Sequence, residues 1–149
     1  MGQKTHPNGF RLGISRTWKS RWFAKGRDYA AKVHQDAFIR KELKEKLKHT
    51  GVSKIEIERP SGKIIIDIFT SRPGLVIGKK GAGIDALRME LQEKTSDEVT
   101  VNIREVRKAE IDAQLVAENV ANQLERRVAF RRVMRKAMQS CMKFGAEGM

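Results

Sequence analysis

Residues 72–83 read R-P-G-L-V-I-G-K-K-G-A-G, and this segment constrains the fold more than any other part of the chain. Two glycines, Gly78 and Gly81, bracket Lys79 and Lys80, and the apolar residues on both sides favour short helices. Glycine accepts positive φ and lacks a Cβ atom, so such a loop can bring its backbone close to another backbone. Lysine charge and the free N–H groups at the start of the next helix suit phosphate. The segment therefore predicts a G-x-x-G loop that binds a phosphate backbone.

Two other phosphate-binding motifs fit this segment poorly. A P-loop needs four residues between its glycines and a Ser or Thr after the Lys. Here Gly74 and Gly78 are separated by three residues, and a second lysine follows the first. Residues 81–86 match G-x-G-x-x-A, but a dinucleotide site needs that pattern directly after a strand. Pro73 and a long connection separate it from the preceding strand pattern, so both alternatives are rejected.

Hydrophobic periodicity predicts the elements around this loop. Alternating or continuous apolar residues indicate strands, and apolar residues three or four apart indicate helices. The order is helix, strand, strand, short helix, loop, helix, strand, which is the topology of the type II KH fold with its nucleic-acid loop in place. We therefore predict an α+β fold with a three-stranded sheet packed against helices. The supporting positions are Phe38, Ile39, Leu43 and Leu47, then Val52, Ile55 and Ile57, then Lys63–Phe69, then Ile84, Leu87 and Leu91, and finally Val99, Val101 and Ile103.

The net charge of +13 over 149 residues is distributed unevenly. Residues 1–27 carry seven cations and no acid, and residues 126–136 carry six cations and no acid. Residues 51–105 carry nine cations and nine acids. A neutral centre with basic ends indicates a polyanionic partner that is contacted from several sides. We predict a basic arm over residues 1–27, the KH domain with its preceding helix over 28–108, and basic helices over 109–149.

The N-terminal arm combines cations, among them Lys4 and Arg11, with the aromatic residues Phe10, Trp18, Trp22 and Phe23. Its glycines and its proline argue against regular structure. Such composition suits nucleic acid, because cations hold phosphates and aromatic rings can stack on bases. We nevertheless expect Trp18, Trp22 and Phe23 to pack on the protein's own core, since large aromatic residues usually do.

Two amphipathic helices are predicted near the C-terminus. The first starts after Asp112 as N-cap, and its apolar stripe is Val116, Val120, Leu124 and Val128. The second starts near Phe130 and ends at Gly145. Four cations share its polar face, because they lie in neighbouring i,i+4 rows, and like charges so close favour an anionic partner. These four are Arg131, Arg132, Arg135 and Lys136, preceded by Arg126 and Arg127, while Met134, Met138 and Met142 are expected in the core.

Nothing in the sequence indicates an enzyme, a metal site or a cofactor. The three histidines are scattered, and the single cysteine, Cys141, lies on an apolar helical stripe. One cysteine excludes an internal disulfide and fits a reducing compartment. There is no apolar signal region and no stretch of membrane-spanning length. An enzyme such as a nuclease or lyase would need a metal cluster or an activated base. The other alternative is a free RNA-binding regulator or assembly factor, and a further RNA-binding domain or a GTPase domain would favour it.

Three segments together resemble one protein family along the whole chain. They are M-G-Q-K-T-H-P-N-G-F-R-L-G at residues 1–13, R-P-G-L-V-I-G-K-K-G-A-G at 72–83, and Q-L-E-R-R-V-A-F-R-R-V-M-R-K at 123–136. Together they are similar to the bacterial-type small-subunit ribosomal protein three family. The resemblance implies a non-enzymatic, cytoplasmic ribosomal protein with a KH domain of type II.

The same resemblance implies specific partners. It implies binding to rRNA in the head of the small subunit, with ribosomal proteins ten and fourteen as neighbours, and a place at the mRNA entry channel. Arg131, Arg132 and Arg135 match the family's basic helix, which contacts mRNA and helps to unwind it, and residues 78–81 match its KH signature. Family members continue into a second α/β domain, whereas this sequence stops at Met149.

Overall fold

The computed structural model describes residues 2–78, 81–95 and 97–148, and in these ranges helices and strands follow the predicted order from α2 to β4. The predicted α+β KH fold is confirmed. The helices are α1 (Pro7–Arg11), α2 (Gly26–Lys46), α3 (Pro73–Ile77), α4 (Ala82–Lys94), α5 (Ala113–Glu125) and α6 (Phe130–Lys143), and the strands are β1 (Ser20–Arg21), β2 (Val52–Glu58), β3 (Lys63–Thr70) and β4 (Glu98–Glu105). A short 3-10 helix, Lys48–Thr50, follows α2.

The strands form one sheet in the order β1-β2-β3-β4. Strands β2 and β3 are antiparallel and are joined by a tight turn in which Lys63 N–H donates to Pro60 O (3.1 Å) and Gly62 has φ of +70°. Strands β3 and β4 are parallel from Lys63 opposite Glu98 to Thr70 opposite Glu105. Parallel neighbours need a crossover connection, and here α3 and α4 form it. The glycine loop therefore lies between the two crossover helices.

One face of the sheet forms the core. Alternate residues of β3, Ile64, Ile66 and Ile68, are fully buried, because side chains along a strand point to opposite faces. They join Ile39 and Leu43 of α2 in the same cluster. The expected helix stripe is confirmed for Ile39, Leu43 and Leu47, but Phe38 is 53% exposed.

The opposite face of the sheet is polar. Asn102 donates to Asp67 Oδ1 across β3 and β4 (2.9 Å), and the ammonium of Lys54 lies 4.1 Å from the centroid of the Phe69 ring. Because helices cover only one face, polar side chains on the other face pair with each other.

The N-terminal arm has more regular structure than predicted. It contains α1 and the two-residue strand β1, which adds a fourth strand to the three that were predicted. Strand β1 runs parallel to β2, with Ser20 opposite Ile57, and Ile57 N–H donates to Lys19 O (2.9 Å). The open edge of β2 offers unpaired backbone groups, and these order a segment whose own sequence disfavours a strand.

Of the arm's aromatic residues that were predicted to pack on the core, only Trp22 is partly buried, and it contacts α2 without joining the core cluster. Its indole N–H donates to Asp36 Oδ2 (2.9 Å), and its ring lies 5.5 Å from that of Tyr29. Trp18 and Phe23 are 66% and 80% exposed, which contradicts the prediction for them. Trp18 and Phe23 both lie outside the two-residue strand β1, and their rings stay in solvent.

The C-terminal helices follow the prediction in their caps. Asp112 Oδ1 accepts hydrogen bonds from the backbone N–H groups of Gln114 and Leu115 (both 3.1 Å), which confirms it as the N-cap of α5. Gly145, with φ of +92°, follows the end of α6. Helix α5 ends at Glu125, so Val128 lies in the turn and not on the helical stripe.

The methionines of α6 are not in the core, contrary to the prediction. Val133 and Cys141 are buried, and the Cys141 thiol contacts Glu110 O at 3.1 Å. Met134, Met138 and Met142 are each 43–53% exposed, so this side of α6 is largely open to solvent in the described part of the chain. No helix among the described residues is long and apolar enough to cross a bilayer.

Candidate nucleic-acid interface

The glycine loop has the backbone geometry that its sequence predicts. Gly78 ends α3 with φ of +71°, and Gly81 precedes α4 with φ of +87°. Both values fall in the left-handed region, where glycine is favoured because it has no Cβ atom. Lys79 and Lys80, the two predicted phosphate contacts of this loop, lie outside the described residues. Both described glycines therefore have the left-handed conformation, and Gly81 lies directly before the N-terminus of α4.

A third glycine, Gly83, determines how closely the two crossover helices approach. A Cβ atom at this position would lie 2.5 Å from Val76 O and 3.0 Å from Ile77 O. A Cβ atom at Gly78 would in turn lie 3.1 Å from Gly83 N. Helix α4 thus packs backbone to backbone against the end of α3, which holds the loop between them. The sequence signal was present as the last glycine of G-K-K-G-A-G, but it did not by itself indicate a packing role.

An ionic cluster of two acids and two lysines joins α4 to α2. Lys46 lies 2.8 Å from Glu42 and also pairs with Glu90, and Lys94 lies 3.0 Å from Glu90 and also pairs with Glu42. Hydrogen bonds from Lys46 and then Lys94 lower the pKa of Glu42, and lower the pKa of Glu90 from its ordinary 4.5 to about 2. Hydrogen bonds to Glu42 and Glu90 raise the pKa of both lysines. This cluster links the helix behind the loop to α2, and sequence reasoning missed it because the helices are about 45 residues apart.

The second predicted site is the polar face of α6, and the structure brings its cations together. Arg131, Arg132, Arg135 and Lys136 are all exposed and line one open depression of about 480 Å³. None of the four forms an ion pair with a carboxylate in the part of the chain that the structure describes. Their charge is therefore available to an anion outside the protein. The predicted placement of these four side chains on one helical face is confirmed by this shared depression.

Arg126 and Arg127 lie apart from that face. Arg126 is the C-cap of α5, and Arg127 occupies the turn between the helices with φ of +61°. Positive φ is unusual for a residue with a Cβ atom and is costly in free energy. The pair thus forms the bend that sets the start of α6, while both side chains remain exposed.

The two predicted RNA contacts of the arm, Lys4 and Arg11, are also exposed. Arg11 donates from Nη1 to Pro7 O (3.1 Å), within its own short helix. In the described ranges, no hydrogen bond or ion pair joins either side chain to the loop or to α6. The structure therefore presents the arm as a third basic region.

Comparison with known proteins assigns the class first. A KH domain family model matches residues 38–111, which include β2, β3, the glycine loop, α4 and β4. The chain is therefore a KH-domain protein, of the class in which a G-x-x-G loop holds a nucleic-acid backbone.

Whole-chain similarity then gives the family. The chain is 59% identical to small ribosomal subunit protein uS3 of Myxococcus xanthus over 148 residues, which is 99% of this chain and 67% of that protein. It is 60% identical to uS3 of Citrifermentans bemidjiense, with 70% of that protein covered, and 57% identical to uS3 of an Anaeromyxobacter species, with 66% covered. The chain belongs to the uS3 family of small ribosomal subunit proteins. The resemblance found in its three sequence segments is confirmed, and so is the expectation of a non-enzymatic protein.

Proposed function

We propose that this chain is a structural component of the small ribosomal subunit in the cytoplasm, that it binds ribosomal RNA in the head of the subunit, and that its α6 face contacts mRNA at the entry channel. The observation that carries the proposal is the depression on α6, where Arg131, Arg132, Arg135 and Lys136 meet without a carboxylate partner among the described residues. Membership of the uS3 family supports the assembly, and the free charge supports the RNA contact.

The α6 face suits a phosphate backbone better than a single small anion. Arginine presents a planar fork of donors that matches phosphate geometry, and three of the four cations are arginines. The side chains extend over more than one helical turn and are open to solvent, so they can follow successive phosphates of a strand. A face of this kind binds RNA without reading its sequence, because phosphate contacts position a strand but carry no base information.

The proposed role in mRNA unwinding follows from the same contacts. Arginines that hold the phosphates of one strand on a rigid helix reduce that strand's freedom to pair again with its complement. The protein supplies binding energy for this step and no chemistry. We propose Arg131, Arg132 and Arg135 for this contact, because they share the depression and match the family's basic helix.

The glycine loop is proposed as a separate RNA contact. Gly81 precedes α4, the first N–H groups of a helix have no partner within it, and Lys79 and Lys80 supply charge. Ribosomal proteins ten and fourteen are proposed as the neighbouring proteins in the assembled subunit.

Sedimentation of the tagged chain with ribosomes on sucrose gradients, in moderate and in high salt, tests the assembly. We expect a salt-resistant, stoichiometric peak with small subunits. Release of the whole chain to the top of the gradient in both salts would contradict a structural role and would favour a free RNA-binding regulator.

A pair of matched variants tests the α6 contact by direct binding of the purified chain to single-stranded RNA. Arg131→Glu with Arg135→Glu should weaken binding to RNA. Lys41→Glu with Lys48→Glu makes the same change of charge at exposed positions of α2 and the following 3-10 helix. If the two pairs weaken RNA binding equally, total charge and not the α6 face is responsible.

A further inference from the structure

Large apolar side chains are concentrated on the surface of the N-terminal arm. Phe10, Ile14, Trp18 and Phe23 are between 66% and 88% exposed, and they lie within one short segment. Single exposed apolar residues are common on proteins, but several large ones in one segment indicate a contact surface. These rings have no packing role in the described chain, so their exposure requires another explanation.

The part of the arm between Trp18 and Phe23 is held firmly. Ser20 Oγ and Trp22 Nε1 both donate to Asp36 Oδ2, at 2.7 and 2.9 Å. The carbonyl of Lys19 accepts from Ile57 N–H (2.9 Å) and from Arg40 Nη2 (3.0 Å). Asp36 is 2% exposed, so this anchor is shielded from water. The backbone between the two exposed rings is thereby tied to α2 and β2.

The charge around the two rings is positive. Arg16, Lys19 and Lys25 lie beside them in sequence, and none of the three pairs with a carboxylate in the described ranges. Arg21 is different, because its guanidinium is paired with Glu58 and lies 3.7 Å from Glu56. Exposed aromatic rings among unpaired cations combine the two contacts that single-stranded nucleic acid uses, which are base stacking and phosphate neutralisation. A protein partner would be expected to meet such rings with less unpaired charge, since charged residues are depleted at the centre of protein interfaces.

We propose that the arm is a stacking site for unpaired RNA bases, with Trp18 and Phe23 as its exposed rings and with the bonds of Ser20 and Trp22 to Asp36 tying it to α2. This site rests on the RNA-binding function proposed above and adds a class of ligand, the unpaired base. Paired bases do not qualify, because they are already stacked inside their helix and their edges lie in grooves that side chains read poorly. Trp18 and Phe23 bind the bases, and Asp36 acts only by positioning the arm.

Binding of the full chain to a short oligouridylate, to its duplex with oligoadenylate and to an abasic oligomer with the same phosphates tests this site. We expect the wild type to prefer oligouridylate. Trp18→Ala and Phe23→Ala should each weaken oligouridylate binding by about 5- to 100-fold and leave the abasic oligomer unaffected. The dependence of binding on salt should not change, because no phosphate contact is lost. Phe38→Ala removes a comparably exposed ring outside the arm and should have no effect.

Fluorescence provides a direct readout, because Trp18 and Trp22 are the only tryptophans in the sequence. Oligouridylate but not the abasic oligomer should quench the wild-type emission, and this quenching should be lost in Trp18→Ala, in which Trp22 alone reports. Folded Trp18→Ala and Phe23→Ala proteins that bind oligouridylate as tightly as the wild type would overturn the stacking site while leaving the proposed function intact. Equal losses for the abasic oligomer, or for Phe38→Ala, would overturn it as well. A wild type that binds none of the three ligands would overturn both proposals.

Discussion

Arg59 Nη2 lies 2.6 Å from Asp36 Oδ1, and the side chains of the two residues are only 4% and 2% exposed. Arg59 Nε donates to the same oxygen (3.0 Å), while the other oxygen of Asp36 accepts from Ser20 and Trp22. One buried carboxylate thus joins α2, the end of β2 and the N-terminal arm. A buried ion pair contributes little net stability on its own, but loss of one partner leaves the other charge uncompensated.

Asp36→Ala should therefore destabilise the fold strongly. We expect a loss of up to about 3–5 kcal/mol in the free energy of unfolding, because the buried Arg59 guanidinium would lose its near counter-charge and keep only Asp97, 3.8 Å from Nη1. Urea denaturation followed by circular dichroism measures this change. Asp28→Ala removes an exposed carboxylate from the first turn of the same helix and should cost about 1 kcal/mol or less. Equal effects of the two substitutions would show that Asp36 is not the anchor described here.

Gly83→Ala should destabilise the packing of α3 on α4. The new methyl group would lie 2.5 Å from Val76 O, and backbone cannot move away as a flexible side chain can. We expect a loss of about 1–3 kcal/mol, the usual cost of overpacking. Gly74→Ala is the matched control, because a Cβ atom there meets nothing within 4 Å and alanine favours the helix. Thermal unfolding of both variants measures the difference, and an unchanged midpoint for Gly83→Ala would contradict the close approach.

Glu90 should contribute a pH-dependent part of the stability. Its pKa is lowered from 4.5 to about 2 in the folded protein, so its contribution is present above pH 4.5 and is lost as the pH falls toward 2. Lys46 and Lys94 have raised pKa values, so their contribution is present below pH 10.5 and is lost as the pH rises further. The melting temperature of Glu90→Gln should fall less than that of the wild type as the pH is lowered from 4.5 to 2.

The control for that measurement is Glu93→Gln, an exposed acid of α4 that forms no ion pair within the described ranges. The melting temperature of this variant should depend on pH as that of the wild type does. High salt should also reduce the contribution of Glu90, since all four side chains of the cluster are partly open to solvent and are screened by ions. A wild-type profile for Glu90→Gln at low salt would rule out the cluster as a link between α2 and α4.

Replacement of Arg131, Arg132 and Arg135 with alanine should separate assembly from the proposed mRNA contact. We expect the variant to enter small subunits but to slow translation through a strong mRNA hairpin, because phosphate contacts on one strand are lost. The slope of log affinity against log salt for single-stranded RNA should fall by about 0.7 for each contact removed. Translation of the same message without the hairpin is the internal control. A triple variant that passes the hairpin at the wild-type rate would refute the proposed unwinding role.

Local patterns in the sequence determined much of the fold. The β-branched runs of β2, β3 and β4, the Asp112 cap and the cations of α6 depend on neighbours within a few residues, and the structure has each as predicted. The positive φ of Gly78 and Gly81 belongs to the same group, since a turn between two helices imposes it locally. The three segments that resemble the family likewise depend on the sequence alone.

Only the tertiary structure decided the contacts between distant segments. Strand β1 exists because the edge of β2 was unpaired, and Asp36 became the anchor of the arm because α2 places it beside Arg59. The indole of Trp22 donates a hydrogen bond to that carboxylate, whereas the indole of Trp18 is exposed to solvent. Residue type alone does not distinguish the two tryptophans. The preference of a residue type is weak compared with the effect of the surface that the fold places beside it.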